Sequence, residues 1–125
     1  MFQNLDVFRT AMAMAKHAGH KQAISAQNIA NADTPGYRAK ELPAFETTLR
    51  GSLSEQRATR TGHLNGQSDR MVATSDRRDA MDPNGNTVSL EIEMIEAVDA
   101  KRQHDRALAI YRNSLSVIRA SLGRS

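Results

Sequence analysis

At 125 residues, with 39% hydrophobic content, three Phe, two Tyr and no Trp, the chain has material for one domain and too few large side chains for a deep globular core. Seventeen basic residues against 14 acidic ones leave a net charge of +3, a mixed surface that does not demand nucleic acid. With no cysteine, disulfides, thiolate nucleophiles and zinc-thiolate sites are excluded, and either a reducing or an oxidising compartment is compatible.

Met1 to Ala15 holds no basic region followed by an apolar core, and nowhere do about 18 apolar residues run together as a membrane span requires. A cleaved secretory signal is therefore not expected. From Asn4 to about Ala30 the spacing predicts a helix. Leu5, Phe8, Met12, Ala15, Gly19, Gln22, Ala26 and Ile29 recur at steps of three and four, the seam pattern of a helix packed on another helix. That seam is thin, but its small residues permit close approach. Asn31 suits a left-handed helix end, Pro35 cannot continue a helix, and Pro35-Gly36 fits the centre of a type II turn with positive φ at the glycine.

Residues 33–88 are mostly polar, with Gly, Arg and three prolines, and with apolar islands at Leu42, Phe45, Leu49 and Met71-Val72. Pro43 to about Leu49 is expected to form one short helix. "RGSLSEQRATRTGHLNGQSDR" has neither helical nor strand periodicity, and "DPNGN" reads as a turn into the next element. A second long helix then follows Ser89, a candidate N-cap. Its seam is Leu90, Met94, Ala97, Lys101, His104, Leu108, Tyr111, Leu115, Ile118 and Leu122. Glu91, Glu93 and Glu96 near its start and Arg112 and Arg119 near its end suit the helix dipole.

The expected fold is mainly α: long N- and C-terminal helices paired as an antiparallel, coiled-coil-like hairpin around a mostly irregular polar middle. One domain is formed by the two ends, with 1–32 as the first axial helix, 33–88 as turn motif, short helix and loop, and 89–125 as the second axial helix. A register with small facing large sets Leu5 opposite Leu122, Phe8 opposite Ile118, Met12 opposite Leu115 and Ala15 opposite Tyr111. Two helices sharing one narrow seam leave further apolar positions uncovered, so neighbouring subunits are expected to complete the core.

Candidates for chemistry are weak. His17 and His20 share a helical face at metal-compatible spacing, but no carboxylate lies near them, and a solvated polar face is the simpler reading. His63 and His104 have no triad-like neighbours. Asp82, Asn84, Asn86 and Glu93 mimic calcium-loop positions, yet Thr87 stands where a glycine is required, and a turn plus a helix start explains the same residues. Arg57, Arg60, Arg70, Arg77 and Arg78 are interrupted by Asp69, Asp76 and Asp79 and lack stacking aromatics, which speaks against nucleic acid. The helices lack the Trp, Phe and Lys belt of lipid-binding helices, so direct lipid insertion is not expected. No acid–base pair, phosphate loop or nucleophile elbow points to catalysis, and no cofactor is implied.

"NIANADTPGY", Asn28 to Tyr37, closely resembles the signature that follows the N-terminal helix in rod, hook and hook-associated proteins of the bacterial flagellar axis. Within that family, "RAKELPAFETTL" and "DPNGNTVSLEIEMIEAVDAKRQHDRALAIYRNSLSVIRASL" are similar to the proximal rod proteins of the basal body, with Gln27 and Ser89 departing from the usual pattern. The resemblance implies a structural, non-enzymatic subunit of the rod, built into a tube wall through its end helices. It implies export through the flagellar type III channel without a cleaved signal. The implied partners are other rod subunits and the chain itself, the membrane-ring and rod-junction proteins, and the export apparatus. Asn28, Asn31, Thr34, Pro35, Gly36 and Tyr37 become the assembly motif: Asn31 ends the helix, Pro35-Gly36 turns the chain outward, and Tyr37 with Arg38 anchors it on a neighbour. The helix-packing seam is then Leu5, Phe8, Met12, Ala15, Ile29, Met94, Leu108, Tyr111, Leu115, Ile118 and Leu122. A sister proximal rod protein, or a soluble helical adaptor in flagellar export, is the alternative.

Overall fold

A computed structural model describes residues 2–53, 73–77 and 80–123. Helix α1 spans Phe2–Ala30, β1 Lys40–Glu41, α2 Phe45–Leu53, β2 Ser75–Asp76 and α3 Leu90–Leu122. The two long helices pack against one another along their length as an antiparallel hairpin, and the short elements gather at one end. Strands β1 and β2 form an antiparallel bridge with Lys40 opposite Asp76 and Glu41 opposite Ser75. Among the described residues, no helix is long and apolar enough to cross a membrane. The short helix begins two residues later than the sequence suggests and runs to Leu53. The 54–72 segment, including His63, Arg57, Arg60 and Arg70, lies outside the described residues, as do Arg78 and Asp79.

The contact line between the helices differs from the expected seam. Along the line where the two helices meet, the buried positions are Ala11, Ala18 and Ser25 on α1 and Glu93, Ala100 and Ala107 on α3, each set spaced by seven; His17 and Asn28 are also buried on α1, facing the short elements. The contact line is heptad packing, but rotated by one residue, about 100°, from the stripe of large aliphatic residues. Leu5, Met12, Ile29, Met94 and Leu122 of the expected seam are exposed, while Phe8, Ala15, Leu108, Tyr111, Leu115 and Ile118 are half-buried beside the contact line. The physical reason is separation. Alanine, serine and glycine let the backbones come close, and the short polar side chains at the loop end then reach across to the opposite helix.

The register is displaced as well. Phe8 stacks on Tyr111 with ring centroids 4.5 Å apart, Lys21 pairs with Glu96, and the Ser25 hydroxyl donates to the Glu93 carbonyl at 2.9 Å. These contacts shift α3 by about eight residues, a little over two helical turns, from the register that set Ala15 opposite Tyr111. Small residues now lie level with small ones, Ala11 with Ala107 and Ala18 with Ala100, and aromatic faces aromatic. In this register α3 continues for about six residues, roughly 9 Å, beyond the level of Phe2.

Two local expectations also change. No non-glycine residue among those described has positive φ, so Asn31 does not end α1 in the left-handed conformation. The helix tightens instead into i to i+3 turns, Ala32 N donating to Ile29 O and Thr34 N to Asn31 O. Ser89 takes the extended backbone of an N-cap, but its side chain makes no capping bond.

The register makes a direct prediction. With cysteines at positions 18 and 100, mild oxidation of the chain closes an intramolecular disulfide. With cysteines at 15 and 111 it does not, because Tyr111 sits beside Phe8, about 10 Å along α1 from Ala15. Mobility on non-reducing gels reads the outcome, and the opposite pattern would reject the register.

Candidate functional site

The loop end of the hairpin is held by polar side chains that are more deeply buried than most of the apolar ones. Asn28 is fully buried and uses its whole hydrogen-bonding capacity. Its Nδ2 donates to Lys40 O (2.8 Å) and Glu93 Oε1 (3.0 Å), and its Oδ1 accepts from Lys40 N (3.0 Å) and the Tyr37 hydroxyl (3.2 Å). One amide therefore joins α1, the exit chain, β1 and α3. Glu93, also fully buried, accepts on Oε1 from Arg77 Nη1 at 2.8 Å, while Oε2 has no hydrogen-bond partner. Arg77 also approaches Glu41 at 3.5 Å, and its backbone N–H donates to Ala39 O. The segment returning from the middle of the chain is thereby pinned to both strands and to α3.

A second set of bonds closes the end of α1. Asn86 is buried, and its Nδ2 lies within 3.0 Å of Asn31 O and 2.8 Å of both Ala32 O and Thr34 O, carbonyls at and just past the end of α1. Three acceptors for two hydrogens require one to be shared, and helix-end carbonyls otherwise left over are satisfied. Asn86 Oδ1 accepts from Val88 N at 2.7 Å, so the same residue starts the approach to α3. The 82–86 turn lies against the 34–37 turn. Gly36 N donates to Asn84 O, Thr87 N donates to Tyr37 O, and Ala39 N donates to the Thr87 hydroxyl.

Gly36 has φ 74° and Tyr37 N donates to Thr34 O, which makes Thr34–Tyr37 a type II turn with Pro35 and Gly36 at its centre. A Cβ added to Gly85 (φ 82°) would lie 3.4 Å from the Gly36 Cα, so the two turns meet glycine on glycine.

All six residues of the expected motif thus belong to this knot or its turn. Tyr37 anchors the chain on Asn28 of its own subunit, and Pro35 and Arg38 stay exposed. Burial, then the Glu93 and Asp76 carboxylates, push the Tyr37 phenol above its ordinary 10.0.

His17 is not on a solvated face. It is buried, with Nε2 2.8 Å from Pro43 O and its ring 5.6 Å from that of Phe45, and it docks the start of α2 on α1 while His20 faces solvent. Sequence reasoning did not single out Ser25; it weighed Arg77 only as a phosphate contact, Thr87 only as the residue at a calcium-loop glycine position, Glu93 as a dipole partner or calcium ligand, and Asn86 as turn or ligand. The available signal was a carboxylate seven residues before Ala100 on the same face, level with Ser25 and Asn28.

The arrangement joins elements; it does not expose a reacting group. Comparisons agree with that character. The flagella basal body rod protein family matches residues 8–38, which contain the helix end and the turn. The flagellar basal body rod protein FlgB of Agrobacterium fabrum strain C58 is 32% identical over 111 residues, covering 82% of each chain. The chain belongs to the flagellar basal body rod proteins, FlgB type. The FlgB likeness reaches well beyond residues 8–38, so it takes in much of the chain on either side of the turn as well as the signature itself.

Two outcomes follow from the knot. Asn28→Ala strands the Lys40 backbone groups and removes a donor from buried Glu93, and it is expected to lower unfolding stability by about 2–4 kcal/mol in denaturant titration. The Tyr37 contribution has the opposite pH sense to a carboxylate's. Folding favours the protonated phenol, so its contribution is complete below pH 10.0 and is lost as pH rises through the raised folded value. Stability measured through this alkaline range falls more steeply for the native chain than for Tyr37→Phe.

Proposed function

We propose that this FlgB-type chain is a structural subunit of the proximal part of the flagellar rod, completing its core against other axial subunits and transmitting torque without any catalytic step. The observation that carries this reading is the inverted packing of the hairpin. Among the described residues the buried apolar ones are all alanines, Ala11, Ala18, Ala39, Ala100 and Ala107, while Met94, Ile95 and Val98 are at least half exposed. Burying a leucine-sized side chain stabilises by about 1.5–3 kcal/mol, and an alanine contributes far less. The side chains with most to gain therefore lie outside, where only neighbours can cover them.

The 1–32 and 89–125 segments act as the axial unit, and the 33–88 segment is read as a clamp that fixes their relative position. The motif Asn28, Asn31, Thr34, Pro35, Gly36 and Tyr37 serves assembly by setting the angle and depth at which the hairpin is presented. Copies of the chain, other rod subunits and the membrane-ring and rod-junction proteins are its partners at the basal body. Passage through the type III export apparatus without a cleaved signal fits a hairpin this thinly held. Because subunit contacts supply missing folding energy, stability is linked to assembly.

Two experiments test this. Amide exchange along 101–122 is expected to be fast in the dilute monomer and slowed at least ~100-fold within purified basal bodies, the scale of a few kcal/mol of added contact energy. Equal protection in both states would contradict the reading. Gly36→Val, which must take a φ of 74° that a β-branched residue avoids, is expected to abolish incorporation and motility, and normally swimming cells would count against the motif's role.

A further inference from the structure

The hairpin has two unlike flanks. Among the described residues, β1 and the start of α2 lie against one of them: His17 holds Pro43 and Phe45, Asn28 holds Lys40, and a cleft of about 180 Å³ brings Lys21 and Ile24 beside Leu42 and Ala44. The other flank lies across the Ala11–Ala18–Ser25 line and carries Leu5, Met12 and Gly19 from α1 beside Leu108, Leu115 and Met94 from α3. All of these are exposed or half-buried. A Cβ built at Gly19 meets nothing within 4 Å, so the groove has an open notch at mid-length. Its outer rims are basic over the half away from the loops, with Arg9 and Lys16 on α1 and Arg112 and Arg119 on α3, all exposed. Lys101 and Asp105 pair with each other at 3.0 Å and cancel.

We infer that this open flank seats a third helix supplied by a different chain, one whose apolar stripe is edged by acidic residues. The inference rests on the rod reading above and names the chemistry of one neighbour. A groove between two helices with apolar walls is the geometry that accepts a third helix at coiled-coil spacing, and rim charges then select the partner. A second copy is disfavoured here. Its α1 would bring Arg9 and Lys16, and the C-terminal half of its α3 would bring Arg112 and Arg119, against rims of the same sign. An acidic-edged helix meets opposite charge along both rims, and a bulky apolar side chain can enter the Gly19 notch.

The test uses the full chain and two synthetic helices of about four heptads with identical Leu and Ile seams, one with Glu and one with Lys at the flanking positions. Fluorescence anisotropy is expected to show the Glu helix binding at least ~10-fold more tightly, a preference that collapses near ~0.5 M NaCl where surface charges are screened. Gly19→Phe starts from a Cβ that meets nothing within 4 Å and projects its ring into the notch, so it should keep the native circular dichroism and lose Glu-helix binding. The double variant Arg9→Glu, Arg112→Glu should reverse the preference. Equal binding of the two helices, or self-association of the native chain in sedimentation that Gly19→Phe abolishes, overturns the inference. The functional reading fails separately: it falls if the native chain is absent from purified basal bodies, whatever the peptides do.

Discussion

One buried amide ties together the two long helices and the chain leaving the first of them. Asn28 makes four hydrogen bonds, two to the backbone of Lys40, one to Tyr37 and one to Glu93, and so ties α1 to the exit chain, to β1 and to α3. An amide with its donors and acceptors all used costs little to bury, whereas a partly satisfied one would be worse than an apolar side chain. Glu93 raises the stakes. A fully buried carboxylate is tolerable only beside a cation, and Arg77, 16 residues earlier in the chain, supplies it. The returning strand, the two long helices and the type II turn therefore share one set of bonds.

Beyond the knot the character of the contact reverses. From Ala18 and Ala100 toward the open end, the helices touch through alanines and through the Phe8–Tyr111 stack, while aliphatic side chains lie on the flank and back. An isolated helix pair with so little buried apolar surface is held at its closed end and weakly elsewhere. This division suits a subunit that must present a fixed angle at one end and accept neighbours along the rest. Directional bonds specify geometry, and non-directional apolar contact supplies energy where a neighbour arrives.

The helices, their lengths and the Pro35-Gly36 turn were legible because periodicity and glycine stereochemistry are local properties. The rotation of the seam was not. Hydrophobic periodicity weights the largest side chains, and in α1 the Leu5–Met12–Gly19 stripe outweighs Ala11–Ala18–Ser25 one residue behind it. In a self-contained protein the heavier stripe faces inward; in one that builds its core with neighbours it marks the outer contact. The large aliphatic positions lie outside the α1–α3 contact line and stay exposed or half-buried beside it. Asn86 and Glu93 were hidden for a different reason. Their partners, Asn31 to Thr34 and Asn28, lie some 50 to 65 residues earlier in the chain. No local pattern announces a bond across that distance.

The same knot explains why one register exists at all. Alanines recur every seven residues near the contact line, so sliding α3 by one heptad would bring small residues opposite small residues again and change the apolar contact little. The slide would instead withdraw Glu93 from Asn28, Ser25 and Arg77, leaving buried polar groups unpaired at about 1–3 kcal/mol each. That penalty exceeds anything the methyl groups could recover. Polar burial at the closed end therefore acts as the ruler for a smooth seam, much as a single buried asparagine fixes alignment in a coiled coil. A hairpin without it would have no such penalty to separate one alignment of its two helices from the next.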